Sequence, residues 1–124
     1  MSFALEFNDS EVRDVVADGA DVRIRFAAAT VRDDAGARGW LTTTALTLAA
    51  ATLSGDAAHA FGKITEGRLR HDGADVARLP LPATLAGDLE LSLRLANGTT
   101  LSVRAAGLTL AAAPDAVFTP DFSC

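Results

Sequence analysis

Asp88 to Leu110, DLELSLRLANGTTLSVRAAGLTL, constrains the fold more tightly than any other stretch of the chain. Leu89, Leu91, Leu93 and Leu95 alternate with Glu90, Ser92, Arg94 and Ala96, the period-2 pattern of a strand with one buried face. Past Asn97-Gly98 a second alternation sets Leu101, Val103 and Ala105 against Ser102 and Arg104. Asn-Gly favours a two-residue hairpin loop. That loop would oppose Leu93 to Ser102 and Arg94 to Leu101, mixing apolar and polar residues on both faces. A one-residue slip removes the conflict, because register and face are locked together in a pleated strand. A three-residue loop Ala96-Asn97-Gly98, with Gly98 left-handed, pairs Leu95 with Thr99, Leu93 with Leu101, Leu91 with Val103 and Leu89 with Ala105. Glu90 then meets Arg104 on the other face, a pair contributing about 0.2–1 kcal/mol at most if exposed. The apolar parity changes again between Ala105 and Leu108. Ala106-Gly107 is therefore expected to hold a bulge or bend, and a strand bent there could serve two sheets or turn a barrel corner.

The rest of the chain reads as further strands. Phe3, Leu5 and Phe7 alternate, and Asn8-Asp9-Ser10 is a turn cluster. Residues 10–17 fit a helix by capping (Asn8 with Glu11) and by the spacing of Val12, Val15 and Val16. The β-branched valines, and Asp18-Gly19 leading into the alternating DVRIRF, favour a hairpin whose turn register stays open. Residues 40–53 also admit a helix, but five threonines and the alternation of Leu46, Leu48 and Ala50 favour one long strand. Phe61 to Arg70 is a strand that turns at Asp72-Gly73 into Val76 to Leu79. Pro80 and Pro82 demote the segment through Gly87 to an edge or loop. Phe118 and Phe122, around Pro120, suggest a docked extended tail. The expected fold is all-β, a single domain over 1–124, with about seven or eight antiparallel strands in a bent β-sandwich or small partly closed β-barrel.

Charge and composition exclude more than they select. A net charge of −5 disfavours nucleic acid and anionic membrane surfaces, where basic patches supply most of the affinity. The single cysteine excludes a disulfide framework. No apolar run reaches membrane-spanning length, and the acidic start without a basic region is not that of a signal peptide, so a cytoplasmic location is expected. Ten arginines beside one lysine, with abundant alanine, point to a GC-rich bacterial genome.

Candidate chemistry is sparse. His59 and His71 flank one strand, whose ten residues would hold them roughly 30 Å apart, too far to share a metal. His71 and Asp72 beside Asp75 could form a polar pocket, although Asp72-Gly73 is explained by turn geometry. Asp9, Glu11 and Asp14, or Asp33 with Asp34, could pair as acid and base or hold a divalent cation. None has the spacing of a calcium loop, and solvated carboxylates explain both groups. Trp40 could floor a ligand pocket. Cys124 has acidic and apolar neighbours and reads as an inert thiol. Asn8-Asp9-Ser10 resembles half of the signature of PilZ domains, which bind a cyclic dinucleotide. Arg13 stands where that pattern has glycine and no matching arginine pair precedes it, so the resemblance is set aside.

No catalytic, cofactor-binding or metal residue is assigned, and no cofactor is expected. The expected role is that of a non-enzymatic domain acting through protein contacts as a homo-oligomer, most simply a dimer. Positive mean hydropathy and the alanine runs at 49–51, 105–106 and 111–113 leave apolar surface outside one core. Two other readings are a small-molecule-binding barrel, and an acidic immunity-type protein neutralising a basic partner.

Overall fold

Leu95 pairs with Thr99 in the computed structural model, which describes residues 2–121. The Leu95 amide donates to the Thr99 carbonyl (2.9 Å), the Gly98 amide returns to Leu95 (2.9 Å), and Gly98 has φ +89°. The register follows as parity demands, with Leu93 opposite Leu101, Leu91 opposite Val103, Glu90 opposite Arg104 and Leu89 opposite Ala105. All the apolar members of these pairs are buried. Arg104 Nε donates to Glu90 Oε1 at 2.9 Å on the outer face.

This hairpin, β10 (Ala83–Leu95) with β11 (Thr100–Ala112), sits in the middle of a continuous antiparallel sheet of twelve strands among the described residues. On one side β7 (Gly62–His71) pairs with β10, and β8 (Ala74–Val76) pairs with β7. On the other side β5 (Thr44–Ala49) and β6 (Thr52–Gly55) take successive halves of β11. β3 (Asp21–Asp33) pairs with β5 and with β2 (Glu11–Asp18), and β2 meets β7 through Glu11↔Lys63 and Val12↔Gly62. The ring β3-β2-β7-β10-β11-β5 is thereby closed, with the β2–β7 seam its shortest join. The last residues of β3 leave the ring and pair with β1 (Phe3–Leu5) and β4 (Arg38–Leu41). β9 (Leu79–Leu81) then adds to β1, and β12 (Phe118–Pro120) adds to β4. One core runs through both parts, and Ile24, Leu46, Leu48, Ile64, Leu69, Leu91, Leu108 and Leu110 are almost wholly removed from water.

The fold is all-β, as expected, but several boundaries differ. Twelve strands replace seven or eight, because short segments of three or four residues complete the sheet edges. Residues 40–53 form three strands rather than one long one. The chain corners at Thr43 (φ +49°) and Ala50 (φ +50°), left-handed residues that are not glycine and so carry no sequence signal. Ala83 to Ala86 are the start of β10 rather than a loop, and they lie at an edge as expected, since β7 pairs with β10 only from Leu89 onward. Pro82 lies just before the strand, where its missing N–H removes no ladder bond. The open register of the first hairpin resolves into Asp18 opposite Asp21 across Gly19-Ala20, and an irregularity at Arg13 carries the residual mismatch. Phe118 docks as expected, its ring 5.0 Å from Phe3; Phe122 lies outside the described residues.

The phase change near Gly107 is real, but β11 does not carry the distortion. Pairing steps from Ala86↔Gly107 to Leu89↔Ala105, so the extra residue is on β10, at Gly87 (φ +132°). A Cβ at Gly87 would come within 2.6 Å of Asp72 Oδ1, which already accepts the Asp88 amide. At Gly107 the nearest foreign atom to a Cβ is 3.4 Å away. The strand that passes from the closed ring to the β1 and β4 extension is β3, where Ala29, Thr30 and Val31 are buried in succession at the handover.

Two stability predictions follow from this register. Leu93→Ala should cost about 2–5 kcal/mol in urea unfolding, the range for a core truncation. Gly87→Ala should cost about 1–3 kcal/mol for its left-handed backbone, while Gly107→Ala stays close to wild type. The reverse order for the two glycines would place the bulge on the wrong strand.

Candidate functional site

Ser10 is fully buried and does the positioning. Its Oγ donates to the Glu6 carbonyl (2.6 Å) and accepts the Thr30 amide (2.8 Å), while the Glu6 amide donates to the Thr30 carbonyl (2.9 Å). A short crossing segment is thus clamped to β3 at both ends. Its middle is tied to β7: the Asp9 amide donates to the Ile64 carbonyl, and Asn8 Oδ1 accepts the Gly67 amide. Gly67 lacks a side chain where Phe7 packs over it. Asp9 takes φ +72°, which an aspartate tolerates better than most residues. The cluster Asn8-Asp9-Ser10 is therefore a ring closure as well as a turn.

Clamped this way, Glu6 and Asp9 present carboxylates to basic side chains from four other segments. Glu6 lies 3.1 Å from Arg32 Nε, 3.4 Å from Arg38 Nε and 3.6 Å from Arg78 Nε. Asp9 receives Arg38 Nη2 at 2.7 Å and Lys63 Nζ at 3.3 Å. Arg38, and after it Lys63, hold the Asp9 carboxyl below its ordinary range, and Asp9 raises Arg38 in return. Arg38 Nη1 also reaches Asp121 at 3.9 Å. Three guanidiniums on one carboxylate is the densest charge cluster among the described residues.

The residues singled out from the sequence do not converge. Asp9 joins this network, Asp14 is bound by Arg25, and Glu11 points to solvent. Asp33 Oδ1 accepts the Ala35 and Ala37 amides of its own turn, and Asp34 takes the Ser2 amide. His59 Nδ1 lies 2.6 Å from Asp56, whose carboxyl it holds low, and His71 Nε2 lies 2.8 Å from the Ala86 carbonyl. His71 Nε2 lies 3.4 Å from Asp72, which also braces the Gly87 bulge, but Asp75 turns to Arg68 and Arg70, so the three do not form one pocket. Trp40 borders a hollow of about 210 Å³ with Asp9, Arg38 and Lys63. Cys124 lies outside the described residues. No group of three or more metal-ligating side chains forms among the described residues, and no helix among them is long and apolar enough to cross a membrane.

Sequence reading missed Glu6, Ser10, Arg32, Arg38 and Arg78, which come together from distant segments with no shared spacing. The only available signal was the preponderance of arginine, which was read as genome composition. Comparisons with protein-family models, curated proteins and solved structures returned no match.

The depressed carboxyls fix a pH dependence. Asp9, Asp14, Asp75 and Glu90 are each lowered, first of all by hydrogen bonds from Arg38, Arg25, Arg68 and Arg104 respectively. The folded chain therefore binds fewer protons than the unfolded chain. The resulting stability is present above the unfolded carboxyl pKa near 4 and is lost as pH falls through the lower folded values. The urea midpoint should drop below about pH 4, and Asp14→Asn should shrink that drop. A midpoint that rises on acidification from pH 5 to 3 would contradict the ion-pair assignment.

Proposed function

We propose that the chain is a non-enzymatic domain that works through protein contacts and pairs with a second copy of itself through the outer face of β3, β5 and β11. The observation that carries this reading is a row arrangement of small uncharged side chains, part of which lines a hollow of about 360 Å³ together with Arg13, Arg23 and Arg25. Ala45 stands opposite Ala111, Thr47 opposite Thr109 and Ala49 opposite Gly107, with Thr84 continuing the middle row on β10. Val16, one of the few exposed large apolar residues, borders the same row beside Arg23. A small apolar centre bordered by arginine has the composition of a modest protein interface.

Charge on the first hairpin favours a second copy as the occupant. Arg23 makes no salt bridge among the described residues, and neither do Asp18 and Asp21 at the hairpin tip. A two-fold axis that lies in the face and crosses β3 between Asp21 and Arg23 reverses the hairpin direction, so the acidic tip of one copy meets the arginine of the other. Such self-complementarity is what an isologous interface needs. The two histidines are each engaged with a neighbouring oxygen rather than with a nucleophile, which supports the non-enzymatic part of the reading.

The face is small, three strands wide, so a weak dimer at micromolar concentration is expected. Light scattering after size exclusion should give a mass approaching two chains on concentration. Thr109→Arg at its centre should return the mass to one chain with an unchanged circular dichroism spectrum. A one-chain mass for the unmodified protein, constant with concentration, would refute the reading.

A further inference from the structure

On the opposite arc of the ring, a cavity of about 470 Å³ opens between the β7–β8 hairpin and the Glu6–Asn8 crossing. Its volume is within the range of small-molecule sites. Phe7, Leu69 and Val76 supply apolar wall, while Arg32, Arg38 and Arg68 face Glu6 and Asp75. Three guanidiniums line the cavity against two carboxylates, Arg38 being paired also with Asp9 and Asp121 outside it, and Arg78, 3.6 Å from Glu6, adds a cation nearby. This is notable in a chain of net charge −5.

The acids present satisfy these cations unevenly. Arg68 is held by both oxygens of Asp75, at 3.1 and 3.2 Å, and Arg38 is shared among Glu6, Asp9 and Asp121. Arg32 and Arg78 both depend on the same oxygen, Glu6 Oε2. Arg32 has besides this only a 3.4 Å contact to the Gly36 carbonyl, and Arg78 makes no hydrogen bond among the described residues. A guanidinium carries five donors in a planar fork suited to a carboxylate or phosphate. Like charges crowded on one carboxylate are relieved by a second anion, and partial burial strengthens that attraction over its value in water.

We propose that this cavity binds a small organic anion. Its oxyanion, carboxylate or phosphate, sits on Arg32 beside Glu6, with Arg78 adding charge at the same Glu6 oxygen from outside the lining, and its apolar body lies against Phe7, Leu69 and Val76. Glu6 acts as the spacer that holds the arginines together, and Ser10 fixes Glu6 by accepting the Thr30 amide and donating to the Glu6 carbonyl. This inference concerns a different surface from the self-association face and does not rest on it.

The test is an amide-resolved NMR titration of the full chain with benzoate and with phenyl phosphate, using benzylamine as a cation of the same shape. Saturable shifts are expected at the Phe7, Leu69 and Val76 amides with at least one anion and not with benzylamine. Which anion binds tells the carboxylate from the phosphate source. Arg32→Gln should weaken binding about tenfold, the loss of one charge-assisted hydrogen bond. Arg78→Gln should also weaken binding, and because Arg78 is exposed and holds a single loose ion pair, that variant retains the fold. Three results would each overturn the site: no saturable shift with either anion by about 10 mM, equal shifts with benzylamine, or unchanged affinity in both arginine variants.

Discussion

Pleat parity is the constraint on which the rest of this structure depends. A strand slipped by one residue sends its whole apolar set to the wrong face. The three-residue loop at Ala96-Asn97-Gly98 keeps Leu93 opposite Leu101 and Leu91 opposite Val103 in the β10–β11 hairpin, which the two-residue loop cannot do. Every neighbour then inherits that register: Leu69 of β7 aligns with Leu91, and Leu46 and Leu48 of β5 align with Leu110 and Leu108. When β5 in turn pairs with β3, Ile24 meets Leu46 and Val22 meets Leu48, so the same parity is carried around the ring.

A ring cannot be closed by regular strands alone, and the irregularities fall where closure requires them. β11 changes phase between Ala105 and Leu108, and both of its neighbours break at that level. β10 bulges at Gly87, while β5 gives way to β6 across Ala50, with the Ala51 amide donating to the Ala20 carbonyl at 2.7 Å. On the far side Arg13 absorbs the mismatch between Val12 and Val15, which face Phe26 and Ile24. Bulges concentrate local twist, so they both bend the sheet and restore the apolar phase.

This division explains what could be read from the residues alone. The long alternating strands and the hairpin register were legible because they are local patterns of period two. The corners at Thr43 and Ala50 were not, since nothing about a threonine or alanine announces a left-handed backbone. Gly107 drew attention as the only glycine near the phase change on β11, but the partner strand supplied the extra residue. The arginine cluster was still less accessible. Glu6, Arg32 and Arg78 are brought together by long-range pairing of β1 with β3 and β9, Arg38 joins them through the β3–β4 pairing, and Ser10 looked like an ordinary turn residue. The same crossing segment closes the short β2–β7 seam and holds Glu6, so the cavity and the ring share one support.

The register itself can be tested without perturbing the chain. Because the Leu95 amide bonds to Thr99, alternation along an antiparallel ladder makes Ser92–Ser102 and Glu90–Arg104 non-hydrogen-bonded pairs. At such pairs the Cα atoms approach to about 4.5 Å and the Hα atoms face each other. Nuclear Overhauser spectra should therefore show strong Hα–Hα contacts between Ser92 and Ser102 and between Glu90 and Arg104. Strong contacts between Leu93 and Ser102, or between Leu95 and Thr100, would instead report the two-residue loop and contradict the account.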